Sequence, residues 1–126
     1  MKNTKFYICP ICGNLVEMVA DSGIKPACCG KKMDELVPNT VEASGEKHIP
    51  VVRLENDRIV VEVGSVTHPM VEEHYIGWIQ LVTDAGSQRK YLEPNQAPQA
   101  VFLLGEEKPL AVYAYCNLHG LWMTQL

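Results

Sequence analysis

The chain has 126 residues, enough for one ordinary domain or for a modest domain with a small metal-stapled unit. Hydrophobic residues make up 47% and charged residues 21%, a balance that excludes a disordered chain. The formal net charge of -4 offers no basic field for nucleic acid, and no apolar run is long enough to cross a membrane. The first residues lack the apolar segment of a secretory signal, so we expect a cytoplasmic protein.

Residues 1–37 are expected to form a small metal-binding domain, because four of the five cysteines lie there. Cys9 and Cys12 form a Cys-x2-Cys pair, a spacing that lets two thiolates bind one ion, and Cys28 and Cys29 supply two more. A segment this short seldom folds without a metal, disulfides or a partner chain, and an odd number of cysteines excludes complete disulfide pairing. Four thiolates suit iron or zinc, so a structural zinc site and an electron-transferring iron centre both remain open here.

The segment 38–47 contains Pro, Asn, Ser and Gly and is expected to be a linker that leads into an active-site loop. From residue 48 to 126 the chain alternates turn residues with short runs rich in β-branched and aromatic residues. These runs cover residues 51–54, 58–63, 75–82, 100–104 and 110–115. Their length and spacing predict an all-β domain, an antiparallel sandwich or barrel, without a helix of ten or more residues.

The fifth cysteine and all four histidines lie in this second part of the chain. They are His48, His68, His74, Cys116 and His119. Each falls in a loop or at the end of a predicted strand, where sandwich folds place their sites. Taken singly, each histidine is more simply explained as an ordinary surface or core residue than as a metal ligand. Taken together, the five exceed the four ligands of a structural zinc and favour a five-coordinate, redox-active iron with one open position.

Several short motifs, read in order, give this sequence a family resemblance. They are Tyr7-x-Cys9-x2-Cys12-Gly13-Asn14, Cys28-Cys29-Gly30, Glu46-Lys47-His48-x-Pro50, His68-Pro69-Met70, His74-Tyr75-Ile76-x-Trp78-Ile79, Pro94-x2-Ala97-Pro98-x-Ala100 and Cys116-Asn117-x-His119-Gly120. With them the chain resembles the desulfoferrodoxin family, the two-iron superoxide reductases, over essentially its whole length. The resemblance implies a desulforedoxin-like domain at 1–37, and a neelaredoxin-like, immunoglobulin-like antiparallel β-sandwich at 48–126.

The resemblance also implies the ligands, the reaction and the partners. Each chain would hold Fe(III) on the four N-terminal cysteines and a ferrous site on four equatorial histidines with axial Cys116. The implied reaction is one-electron reduction of superoxide to hydrogen peroxide, with re-reduction by an external donor such as rubredoxin, in a cytoplasmic homodimer. Glu46 matches the glutamate that binds in the ferric resting state, and Lys47 the lysine beside the open position. Without the resemblance, these two residues are interpreted as solvated charges in a loop.

Other functions are compatible with the same residues. The alternatives are a non-catalytic zinc or iron binding module, a sensor of oxygen or nitric oxide, and a superoxide dismutase. A sensor is disfavoured because no output or DNA-binding segment is evident in the sequence. The chain departs from familiar family members at Gly120-Leu121-Trp122-Met123, which replaces a more polar tail. We expect this departure to leave the ligands intact and to alter only the local surface.

Overall fold

The computed structural model of the protein describes residues 4–126. The chain divides into two compact units, Met1–Val37 and Pro38–Leu126. The first three residues of the predicted domain 1–37 lie outside the described residues. Among the residues that are described, no helix combines the length and apolar composition needed to cross a lipid bilayer.

The first unit is built from very short strands. They are β1 (Phe6–Ile8), β2 (Leu15–Glu17), β3 (Ala27–Cys28), β4 (Lys31–Lys32) and β5 (Asp34–Leu36). Strands β2, β1 and β5 form one antiparallel sheet in that order, and β3 pairs with β4. The buried cluster consists of Tyr7, Cys9 and Met33, with Val16, Met18 and Cys28 packed against it. Because two cysteines belong to this small core, apolar burial alone gives the unit little stability.

The second unit is a β-sandwich preceded by one turn of helix. Its elements are α1 (Gly45–His48), β6 (Pro50–Glu55), β7 (Arg58–Val63), β8 (Ile76–Thr83), β9 (Ser87–Tyr91), β10 (Gln99–Leu103), β11 (Pro109–Cys116) and β12 (Gly120–Gln125). One antiparallel sheet has the order β10-β7-β6 and the other has the order β12-β11-β8-β9. This arrangement of three and four strands confirms the prediction of an all-β, immunoglobulin-like sandwich.

The core of the sandwich comes from alternate residues of the central strands. On β7, Ile59, Val61 and Val63 are buried while their neighbours are not, as expected of a sheet with one face toward the core. Ala100 and Phe102 of β10 follow the same rule. Cys116, at the end of β11, is fully buried in this cluster, so the sandwich core itself positions one candidate ligand.

Two strands of the sandwich are not predicted from the sequence. Strand β9 has the sequence Ser-Gln-Arg-Lys-Tyr and is an edge strand that pairs only with β8, so four of its five residues are exposed. Without a buried face it carries no hydrophobic alternation, so no strand is predicted there. Strand β12 pairs with β11 from Gly120↔Cys116 to Gln125↔Ala111, and its apolar run is too short to be recognised alone.

Candidate metal centres

The four N-terminal cysteines converge at one point of the first unit. Their sulfur atoms all lie within 4.8 Å of one another, with Cys12 and Cys28 3.6 Å apart and Cys28 and Cys29 3.9 Å apart. Cys29 has a φ of 55°, in the left-handed region that residues other than glycine rarely adopt. Because this breaks the alternation of side chains along the chain, two adjacent cysteines can face the same point. Four converging thiols suit a tetrahedral iron or zinc ion and leave no coordination position free.

The electrostatics of this cluster favour a bound cation. The backbone N–H groups of Cys12 and Ile11 donate to the sulfur of Cys9, each over 3.4 Å, and lower the pKa of its thiol to about 6. The sulfur of Cys12, followed by those of Cys28 and Cys9, raises the pKa of Cys29 to about 12. Without a cation, the four sulfurs therefore cannot all ionise near neutral pH, and a metal ion removes that conflict.

The second cluster collects every histidine of the chain and the remaining cysteine. Ligand atoms of His48, His68, His74 and Cys116 all lie within 4.8 Å of one another. Nδ1 of His119 lies 3.1 Å from Nε2 of His48 and 3.9 Å from the sulfur of Cys116. The structure thus brings together all five residues that the sequence proposes for one site. They come from the end of α1, two positions in the β7–β8 connection, the end of β11 and the β11–β12 turn.

Two of the imidazoles are oriented by backbone carbonyls. Nδ1 of His48 lies 2.6 Å from the carbonyl oxygen of Ser44, and Nδ1 of His68 lies 2.6 Å from that of Pro69. A carbonyl oxygen only accepts hydrogen bonds, so Nδ1 of each ring carries the proton and each Nε2 presents a lone pair when the ring is neutral. This arrangement of an outer carbonyl behind a ligating imidazole is typical of metal sites.

Without a cation, inner nitrogens of the histidine cluster face one another or have no partner among the described residues. The two Nε2 atoms of His48 and His68 are 3.2 Å apart, so their lone pairs face each other. Nε2 of His74 is buried and has no hydrogen-bond partner among residues 4–126. Burial of polar nitrogens without a partner is costly, and a metal ion would satisfy all three. The donor set of four imidazoles and one thiol fits iron, copper, zinc or nickel.

Burial also keeps the histidines neutral, the form that binds metal. It is the main cause that lowers the pKa of His68 to about 4, and it lowers the pKa of His48 and His74 below the ordinary value. Burial raises the pKa of the Cys116 thiol, while the backbone N–H groups of Leu118 and His119 oppose that change. These three imidazoles are therefore ready to bind a cation near neutral pH, whereas Cys116 ionises when the cation binds.

Trp122 is a site residue that the sequence reading missed. Its side chain is 3% exposed, its ring stacks on His48 with centroids 4.8 Å apart, and its Nε1–H donates to the carbonyl oxygen of His119 over 3.1 Å. The expectation that segment 120–123 alters only the local surface is therefore wrong for this residue. The signal that could have revealed it is an indole three residues after a ligand, on a strand paired with the one that ends in Cys116.

Glu46 and Lys47 lie on helix α1 directly before His48, and both side chains are exposed. The charge of Lys47 is among the causes that lower the pKa of His48 and His74, so it acts on the cluster. The carbonyl oxygen of Glu46 accepts hydrogen bonds from the N–H of Val66, over 2.8 Å, and from the hydroxyl of Ser65, over 3.2 Å. The β7–β8 connection therefore holds the backbone of this turn and leaves its two charges facing solvent.

Comparison with known proteins gives these two clusters a context. The family model described as desulfoferrodoxin matches residues 40–125. The chain is 48% identical to the desulfoferrodoxin of Syntrophotalea carbinolica over 94% of each protein, and 36% identical to the superoxide reductase of Pyrococcus horikoshii over 65% of this chain and 87% of that one. The crystal structure of the superoxide reductase from Treponema pallidum covers 98% of this chain and 100% of its own at a TM-score of 0.82 and 38% identity.

The similarity to the Syntrophotalea carbinolica protein and to the Treponema pallidum structure extends over both units, and the family model matches nearly all of the second unit. These matches confirm the resemblance inferred from the order of the cysteine and histidine motifs. Together with the fold and the paired four-cysteine and histidine–cysteine clusters, they establish that the chain belongs to the desulfoferrodoxin family.

Proposed function

We propose that the protein is a superoxide reductase, whose active site is the cluster of His48, His68, His74, His119 and Cys116. The observation that carries the proposal is the convergence of five donor atoms, one of them a buried thiol, at a point where Nε2 of His74 lacks a hydrogen-bond partner among the described residues and the Nε2 atoms of His48 and His68 face each other. A purely structural zinc site needs four ligands. A fifth ligand suits an ion that changes its oxidation state and keeps one position for substrate.

A ferrous ion held by these residues would supply the electron that, with two protons from solvent, converts superoxide to hydrogen peroxide. The chain's own residues set the conditions for that step. His48 and His68 are held in the ligating tautomer by the carbonyls of Ser44 and Pro69. The burial of Cys116 keeps its thiolate away from water, and the backbone N–H groups behind it stabilise its negative charge.

Lys47 is proposed to attract the anionic substrate, since the protein as a whole carries a net charge of -4. Its exposed ammonium also suits it to organise a water molecule that donates a proton. Glu46 is proposed to bind the open position in the oxidised resting state and so to help product leave. Both roles are supported by the position of these residues on α1, directly before His48.

The four-cysteine cluster of the first unit is proposed to hold Fe(III) on Cys9, Cys12, Cys28 and Cys29. Its closed ligand set suits electron transfer or structural support rather than substrate binding. We propose three parts of the chain: an iron-binding domain at 1–37, a linker and active-site loop at 38–47, and the reductase domain at 48–126. An external donor such as rubredoxin would restore the reduced state, and we propose that the protein works as a cytoplasmic homodimer.

Metal analysis and superoxide consumption test the proposal together. We expect two iron ions per chain, a coloured protein after purification, and consumption of one electron from the donor for each superoxide without release of oxygen. A colourless protein containing only zinc would favour a binding module, and oxygen release without a donor would indicate a dismutase. Reversible binding of oxygen or nitric oxide without turnover of superoxide would favour a sensor.

A further inference from the structure

His74 differs from His48 and His68 in how its ring is held. Carbonyl oxygens fix the rings of His48 and His68 through Nδ1, whereas Nε2 of His74 is buried without a hydrogen-bond partner among the described residues. The ring of His74 contacts those of His68 and His119 edge-on, with centroids 4.6 and 5.0 Å apart. Edge contacts between imidazoles do not fix the orientation of a ring. The position of the His74 backbone therefore determines the geometry of this ligand.

The backbone around His74 is held by two residues. The N–H and the carbonyl oxygen of His74 itself pair with Val71, each over 3.0 Å, and the other polar atoms of the two flanking peptide groups pair with Asn117. The side-chain oxygen of Asn117 accepts the N–H of Tyr75 over 2.9 Å, and its side-chain nitrogen donates to the carbonyl oxygen of Glu73 over 3.0 Å. Its own backbone N–H donates to the carbonyl oxygen of Tyr75 over 3.2 Å. Asn117 itself lies between the ligands Cys116 and His119. Two hydrogen bonds of Asn117 therefore connect the peptide groups that flank one ligand to the turn that carries two others, and a third connects the next peptide group.

We propose that Asn117 is a positioning residue of the metal site, which holds His74 at the correct distance from Cys116 and His119. An asparagine is required because the position needs one acceptor for Tyr75 and one donor for Glu73. Aspartate keeps the acceptor and loses the donor, and alanine loses both. Outer residues that orient a metal ligand commonly change metal affinity about 10–100-fold when they are replaced.

This inference rests on the proposed iron site, and its test does not use superoxide. The full-length protein, with its histidine–cysteine iron ferrous and its four-cysteine iron left ferric, is mixed anaerobically with an excess of a ferrous chelator, and release of Fe(II) is followed by absorbance. The colour of the four-cysteine centre is followed in the same sample as an internal reference. The variants are Asn117→Ala, Asn117→Asp, and the control Gln88→Ala, which removes a 2.8 Å hydrogen bond to the carbonyl of Leu103 on a strand that carries no ligand.

We expect Asn117→Ala to release Fe(II) roughly tenfold faster or more, Asn117→Asp to be intermediate, and Gln88→Ala to match the wild type. The four-cysteine centre should be unaffected in all three. Hydrogen exchange at the Tyr75 amide, measured by mass spectrometry, reports whether the hydrogen bond from Tyr75 to the side chain of residue 117 is broken. A wild-type release rate in Asn117→Ala, with the Tyr75 amide exchanging freely, would overturn the proposal, and so would equally fast release from Gln88→Ala.

If Asn117→Ala fails to fold, Asn117→Asp decides the question, because it keeps the hydrogen bond to Tyr75. Release from that variant at the wild-type rate would then refute the role of the donor to Glu73. If the wild type failed to reduce superoxide, the proposed function would fall while the release rates still decided the role of Asn117.

Discussion

Lys47 illustrates how one residue can matter in a site whose ligands come from five places in the chain. Its side chain is exposed, and its charge contributes to the lowered pKa of His48 and His74. An exposed charge adds little to folding stability, so its value here is electrostatic. In an acidic protein, a local positive charge is the means by which an anion is drawn to one point of the surface.

Replacing Lys47 by alanine should therefore slow the second-order reaction with superoxide and flatten its dependence on ionic strength. Pulse radiolysis or stopped-flow mixing at several salt concentrations measures both. Lys108→Ala is the matched control. Lys108 directly precedes β11, so the whole eight-residue strand separates it from the ligand Cys116 at the other end. An unchanged rate in Lys47→Ala would refute the role in attracting the anion.

Trp122 contributes packing rather than charge. It stacks on His48 and donates to the carbonyl of His119, so it links two ligands that are far apart in the sequence. We expect Trp122→Ala to lower the free energy of unfolding of the metal-free protein by about 3–5 kcal/mol, measured in urea. Trp122→Phe should lower the free energy of unfolding by less, because phenylalanine keeps an aromatic ring at this position. Tyr91→Ala, which removes an aromatic side chain that is 72% exposed, should change stability by less than about 0.5 kcal/mol.

At the scale of elements, the active-site turn depends on the connection that follows β7. Hydrogen bonds from Ser65 and Val66 reach the carbonyl of Glu46, and Gly64 lies against the same peptide group. A Cβ added at Gly64 would lie 2.5 Å from the carbonyl oxygen of Glu46 and 2.8 Å from the carbonyl carbon of Lys47. Both atoms belong to the backbone, so no side chain can rotate away, and the turn itself would have to move.

Gly64→Ala should therefore lower the free energy of unfolding by about 1–3 kcal/mol and displace the Glu46–Lys47 turn. The displacement should also reduce the rate with superoxide in the variant that still binds iron. Gly105→Ala is the matched control, because an added Cβ there meets no atom within 4 Å. Stability equal to that of the control would show that the turn is free to move.

The sequence predicted those elements that have a clear apolar pattern and missed those that lack one. Strand β7 is predicted with its observed bounds because residues 58–63 are rich in β-branched residues and lie between turn residues. Strand β9 is an exposed edge strand, and its polar residues form a strand only because β8 supplies the hydrogen bonds. Pairing of this kind depends on residues distant in sequence, so a local pattern does not contain it.

At the scale of the whole molecule, the two units differ in what stabilises them. The second unit has a continuous core between two sheets. The first has a buried cluster of three residues, one of which is a cysteine. A unit of this size needs its metal to fold, whereas the sandwich has enough apolar burial to fold without one.

Cys12→Ser should therefore remove the colour of the four-cysteine centre and unfold the first unit alone. In amide NMR spectra, resonances of residues 4–37 should collapse to random-coil positions while those of 38–126 stay dispersed. Ser22→Ala, in the same unit but outside the ligands, is the control. If Cys12→Ser keeps a dispersed first unit, the metal is not what stabilises it. Persistent superoxide reduction with an external donor would show that the first centre is dispensable for turnover.

The sequence by itself indicated both candidate ligand sets, the first through the local spacing of its cysteines and the second through the shared position of its residues in loops and at predicted strand ends, because metal chemistry restricts which residues can serve. It also indicated the all-β class, through short runs of β-branched and aromatic residues separated by turn residues. The tertiary structure decided what surrounds the ligands. The stack of Trp122 on His48, the clamp of Asn117 around His74 and the contact of Gly64 with Glu46 join residues 18 to 74 positions apart. Such contacts arise only when strands from distant parts of the chain pack together, so no local pattern predicts them.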